Sequence, residues 1–194
     1  MKMNNKKGYS LFEMMVVVLI IAIGSSLAAA SVIKARKNTL LTDAVRETYN
    51  ILEMARSTAL LRNVAVGITF HKDPTNGWIR LDESTTTSCT NIAGPADSLR
   101  YGFMVLSFAD ARWTRLGSAR VSMIALKIGG ADKGDARICI NRTGRLLEWS
   151  GGGWSVIRQS PAVELRYQLF DGGVATGVER IVRLEQGSVV RIVR

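Results

Sequence analysis

Lys6-Lys7-Gly8-Tyr9-Ser10-Leu11-Phe12-Glu13, followed by the uncharged run Met14 to Ile33 (MMVVVLIIAIGSSLAAASVI), decides how this chain is read. Twenty residues at a rise of 1.5 Å span about 30 Å, the hydrocarbon thickness of a bilayer. Lys2, Lys6 and Lys7 precede the run. Positive residues on that side stay cytoplasmic and point the C-terminal body outward. One reading is a cleaved signal peptide, with small residues at Ala28-Ala29-Ala30 for a signal peptidase. Another is a plain transmembrane anchor. Neither gives Glu13 a role, although a carboxylate at the edge of an apolar helix is costly and takes a partner.

The third reading rests on a resemblance. KKGYSLFEMMVVVLIIAIG resembles the leader of type IV prepilins and type II secretion pseudopilins. The resemblance implies that a prepilin peptidase cuts after Gly8, that the new N-terminal residue Tyr9 is N-methylated, and that Glu13 serves assembly. The family most often has Phe where this chain has Tyr9. Many major pilins carry a helix-kinking proline where this chain has Ala30, which leans the reading toward a minor pilin or pseudopilin. Cutting removes Lys2, Lys6 and Lys7 and takes the formal charge from +10 to +7. A physical reason for Glu13 follows: a carboxylate in lipid needs an opposite charge, and the cationic amine of Tyr9 supplies one. The alternative is a glutamate that snorkels to the interface.

Beyond the anchor, Leu41, Val45, Thr48, Leu52, Ala55 and Ala59 step by four and three, as one face of an amphipathic helix does. No proline lies between Tyr9 and Arg62, so one helix of about 54 residues running roughly 80 Å is expected. A break near Gly24-Ser25-Ser26 into two helices stays open. From Asn63 the pattern turns to strands: 64–70 and 78–81 as a hairpin, then a polar loop over 82–100. Further strands are expected at 101–106, 121–128, 137–141, 146–149, 154–157, 163–170, 179–184 and 189–193, with glycine pairs as turn signals between them. Gly151-Gly152-Gly153 lacks the lysine and helix of a phosphate loop and reads as a hairpin turn. The expected fold class is α+β, a long N-terminal helix packed on an antiparallel β-sheet body. The expected organisation is a leader over 1–8, a membrane and assembly helix over 9–33, an amphipathic half over 34–62 and a periplasmic β-rich domain over 63–194.

One histidine, His71, and two cysteines, Cys89 and Cys139, leave little material for a catalytic triad or a zinc site. No catalytic residue, metal site or cofactor is expected. Cys89 lies in a polar loop and Cys139 in an apolar strand. In an oxidising compartment they either form a bridge or stay as two thiols, one of them buried.

The body carries a second resemblance. Leu52 to Val66 (LEMARSTALLRNVAV) resembles the helix-to-strand junction of the GspH/FimT family. Ala136 to Leu146 (ARICINRTGRL) is similar to its mid-domain strand and turn, and Glu179 to Arg194 (ERIVRLEQGSVVRIVR) to its closing basic hairpin. The resemblance implies a subunit of the inner membrane, and later of a type II secretion pseudopilus or type IV pilus, whose partners are other pilins or pseudopilins and the prepilin peptidase. Some members bind DNA through a Gly-Arg-x-Arg element near the C-terminus. Here Gly187 is followed by Ser188, and the arginines fall at Arg180, Arg183, Arg191 and Arg194. If Val182, Leu184, Val190 and Ile192 share a buried face, Arg183 and Arg191 point outward together. They then either contact phosphates or solvate an edge hairpin.

Overall fold

The computed structural model describes residues 10–84, 86–92, 102–109 and 119–193. One helix, α1, runs without interruption over Leu11–Leu61. No break occurs at Gly24-Ser25-Ser26, where two helices were the open alternative. The helix stops where Asn63 takes a left-handed backbone, φ 56°, which only short polar side chains and glycine adopt readily. The chain divides into two compact units, Met1–Lys37 and Asn38–Arg194.

In the second unit eleven strands are described: β1 Val66–His71, β2 Trp78–Glu83, β3 Gly102–Ser107, β4 Ala119–Ile128, β5 Ala131–Asp132, β6 Asp135–Ile140, β7 Leu146–Ser150, β8 Gly153–Val156, β9 Val163–Asp171, β10 Val174–Leu184 and β11 Val190–Val193. They form a six-stranded sheet in the order β3-β2-β1-β6-β7-β8 and a five-stranded sheet in the order β11-β10-β9-β4-β5, each pairing antiparallel. The fold is α+β, a long N-terminal helix with antiparallel sheets. The polar loop expected from Asp82 starts later, because β2 continues to Glu83. The strand expected from residue 179 begins at Val174, ahead of a register shift between Ala175 and Glu179. Tyr101, the first residue of another expected strand, lies outside the described residues.

The core follows from two periods meeting. On α1, Leu41, Val45, Thr48, Leu52, Ala55 and Ala59 are all buried, joined by Ala44 and Ile51. They pack with alternate residues of both sheets, among them Ile68 and Phe70 of β1, Ile138 and Ile140 of β6, Leu165 and Tyr167 of β9, and Val182 and Leu184 of β10. Thr48 is tolerated there because its hydroxyl reaches the Ala44 carbonyl (2.9 Å) and lies 3.0 Å from the Tyr167 hydroxyl. Burial pushes the Tyr167 phenol pKa up, with the Thr48 hydrogen bond acting against it.

The same alternation puts Cys139 on the outer face of the six-stranded sheet, opposite Gly67 of β1. In the structure Cys139 is bonded to Cys89, with the Cα atoms 6.0 Å apart. The bridge fastens a short 3-10 turn, Cys89–Asn91, to that face. Ala65, Cys89, Ile92 and Cys139 form a second apolar cluster there, covered by Leu147 and Trp154. A Cβ at Gly67 would sit 2.9 Å from Ile92 Cγ2, so this close approach needs glycine.

Candidate functional site

The described part of the first unit is Ser10 and the N-terminal part of α1. Ser10 caps the helix: its hydroxyl accepts from the Phe12 amide (3.3 Å) and its carbonyl from the Met14 amide (3.2 Å). Glu13 stands in the first turn, three residues after Ser10. That is the spacing of a capping box, and a carboxylate there also meets the partial positive charge of the helix start. Every large apolar side chain from Leu11 to Ile23 is exposed, from 40% at Val16 to 79% at Leu11. A helix apolar all round is a surface for lipid or for other helices rather than for water. Among the described residues no helix is long and apolar enough to cross a membrane; within the uncharged run, side chains are described up to Ser25 and again from Ser31. Gly8 and Tyr9 lie outside the described residues.

The second candidate is the C-terminal hairpin. β10 and β11 pair Val182 with Ile192, Arg183 with Arg191 and Leu184 with Val190. Val182, Leu184 and Val190 are buried. Ile192, expected on the same buried face, is 42% exposed: β11 is the sheet edge, and the core ends before it reaches this position. Arg180 lies three positions before Arg183 along β10 and so points to the opposite face. Arg194 lies outside the described residues. The four arginines therefore do not make one cluster among the described residues. Arg183 and Arg191 alone share a face.

A residue that pattern reading did not single out, Glu164 of β9, controls that face. It is buried and accepts from Arg183 Nε (2.9 Å) and Arg166 Nε (2.8 Å). Burial opposes its ionisation, but the hydrogen bonds and charges of Arg166 and Arg183 outweigh it, and its pKa is lowered. The registers place Arg191, Arg183, Glu164, Lys127 and Asp132 in one row across all five strands. Such a row is cross-strand charge pairing, with Arg191 left at the edge beside a guanidinium that is already satisfied. Among the described residues no group of three or more His, Cys, Asp or Glu side chains stands together to hold a metal ion.

Comparison with known proteins joins these features. The profile of the prokaryotic N-terminal methylation motif matches residues 3–29, and that of the type II transport protein GspH matches residues 44–144. The chain belongs to the GspH family. It is a minor pilin or pseudopilin with an N-methylation motif, and subunits of this family are structural rather than enzymatic. The methylation motif implies anchoring in the inner membrane. No curated protein matches the chain. Two crystal structures of the type IV minor pilin FimU from Pseudomonas aeruginosa (strain PAO1) are similar to it. One has a TM-score of 0.45 at 14% identity, over 81% of this chain and 90% of that one. The other has a TM-score of 0.42 at 13% identity, over 79% and 93%.

Proposed function

We propose that this GspH-family chain is cut after Gly8 by a prepilin peptidase, N-methylated on Tyr9, and drawn through its N-terminal helix into a type II secretion pseudopilus or type IV pilus as a minor subunit. One observation carries the reading. Glu13 is the only charged residue between Tyr9 and Ile33, and it sits in the first turn of an uninterrupted helix whose large apolar side chains up to Ile23 are all exposed. The amine of Tyr9, on the same or a neighbouring subunit, neutralises it as subunits leave the membrane. The body then serves as scaffold. DNA is not its ligand in this reading: Arg183 is held by Glu164, Arg180 lies on the other face, and Ser188 follows Gly187 where the DNA-binding element has arginine.

Intact mass and N-terminal sequencing of the membrane-extracted protein test the processing step. The expected product begins at an N-methylated Tyr9. A chain beginning at Ser31, as a signal peptidase would leave it, or an uncut chain still beginning at Met1, overturns the proposal.

A further inference from the structure

The open end of the β7–β8 hairpin holds a groove of about 320 Å³. Neither Arg183 nor Arg191 lines it. Its basic rim is Arg145, at the start of β7, and Arg158, just after β8; both are exposed. The floor is apolar: Leu146 and Ile157 show only their edges, while Val156 is 49% exposed. Gln186 and Gly187 form the far wall.

These walls are fixed by hydrogen bonds. Asn141 Oδ1 accepts from the amides of Thr143 (3.0 Å) and Arg145 (2.9 Å), which sets the turn that carries Arg145. Gly144 takes φ +75° in that turn. Its carbonyl accepts from the fully buried Ser188 hydroxyl (2.7 Å), which ties the turn to the wall opposite. The Gln186 side-chain amide donates to the Arg158 carbonyl and fixes the other rim. A site with its walls held in advance loses little entropy on filling.

The charge is unbalanced. Among the described residues no acidic side chain lines the groove. Among the described residues neither Arg145 nor Arg158 has an ion pair. Glu185, the nearest acid in sequence to the far wall, is engaged by the Ser160 hydroxyl. Two guanidiniums on one half-apolar groove match a carboxylate that has apolar neighbours. β8 is also a sheet edge. The Ile157 amide bonds inward to the Leu146 carbonyl (3.0 Å), so strand alternation turns the backbone amide and carbonyl of Val156 to the open side.

We propose that this groove docks an extended, acidic peptide segment of a partner protein. The segment pairs with the outer edge of β8, which has no strand partner among the described residues, sets an apolar side chain on the Leu146–Ile157 floor, and gives a carboxylate to Arg145 and Arg158. The apolar floor favours a peptide over a nucleic-acid backbone, whose phosphates need cations along an open track. The inference is independent of cleavage at Gly8 and of Glu13.

The test is a titration of the full chain, in neutral detergent micelles, with the capped peptide VEVEV, its uncharged twin VQVQV, and a DNA duplex of about 20 base pairs. VEVEV is expected to bind with a dissociation constant below about 1 mM, with VQVQV about tenfold weaker. The Arg145→Ala/Arg158→Ala variant, checked for folding by circular dichroism, is expected to lose about tenfold for VEVEV, while Arg180→Ala/Arg191→Ala keeps its affinity. No VEVEV binding at about 1 mM, equal binding of the two peptides, or unchanged binding by the Arg145/Arg158 variant overturns the proposal. Duplex binding that needs these two arginines, without peptide binding, overturns it in favour of a nucleic-acid site.

Discussion

The hydroxyls of Thr48 and Tyr167 meet 3.0 Å apart in the core and join the helix to the middle strand of the five-stranded sheet. Thr48 also reaches the Ala44 carbonyl at 2.9 Å. The Thr48 hydroxyl has one proton and two acceptors in reach, the Ala44 carbonyl and the Tyr167 hydroxyl. The two single substitutions are then unequal. Tyr167→Phe leaves Thr48 with its backbone partner and costs about 1 kcal/mol; Thr48→Val strands a buried phenol and costs about 2 to 3 kcal/mol. The double variant is expected to recover part of the Thr48→Val loss, because no unpaired hydroxyl remains. Urea unfolding of the full chain in micelles, read by tryptophan fluorescence, gives all three values. Equal costs for the two single variants would show that the hydroxyl pair contributes nothing beyond packing.

The helix was legible because its stripe is long and periodic: every residue of the Leu41-to-Ala59 series is buried. The main strands were legible from alternation and glycine turns. What escaped has physical reasons. β5 is two residues long, too short for any period, and the first half of β10 is exposed and carries no apolar alternation. Ile192 looks like a core residue in sequence, but an edge strand outruns the core that would cover it. Glu164 reads as an ordinary strand carboxylate until the register brings Arg183 beside it. The Arg145–Arg158 groove is assembled from the two ends of the β7–β8 hairpin and the distant turn before β11, which no local pattern joins.

The Cys89–Cys139 bond closes a loop of sequence separation 50. Constraining an unfolded chain over that length is worth about 4 kcal/mol in the chain-entropy account. The bond also holds Ile92 over Gly67 and beside Trp154. Cys89→Ser/Cys139→Ser is expected to lose about 2 to 4 kcal/mol. Thiol labelling of the unreduced, denatured protein is expected to find no reactive cysteine. Two labelled thiols per chain would mean that the cysteines are not bridged in the isolated protein.

Glu13 has two available roles, helix capping behind Ser10 and neutralisation of a neighbouring amine. Substitution separates them. Glu13→Gln keeps a side chain that completes a capping box but carries no charge. If the charge pair drives assembly, Glu13→Gln and Glu13→Ala are both processed normally and both recovered from sheared filaments about tenfold less than the parent, the range expected for an unpaired amine left in a low-dielectric site. Recovery of the Gln variant at the parental level would assign the residue to capping alone.

Glu164 makes the last prediction, because it stands between the C-terminal arginines and any anionic ligand. Its pKa is lowered in the folded protein, so the stability it brings is present above the unfolded value near 4.5 and is lost as pH falls below it. Glu164→Gln removes that acid-side slope and costs about 1 to 2 kcal/mol at neutral pH, less than for a fully buried pair because both guanidiniums remain about a third exposed. The same change releases Arg183 beside Arg191. In gel shifts with duplex DNA, the parent is expected to bind weakly, and Arg180→Ala/Arg183→Ala/Arg191→Ala/Arg194→Ala equally weakly. Glu164→Gln should bind more tightly, its log–log salt slope steeper by about one, as one more phosphate contact requires. A parent whose affinity drops about tenfold in the quadruple variant would instead make the hairpin a DNA site, with Glu164 as an orienting partner of Arg183 rather than its neutraliser.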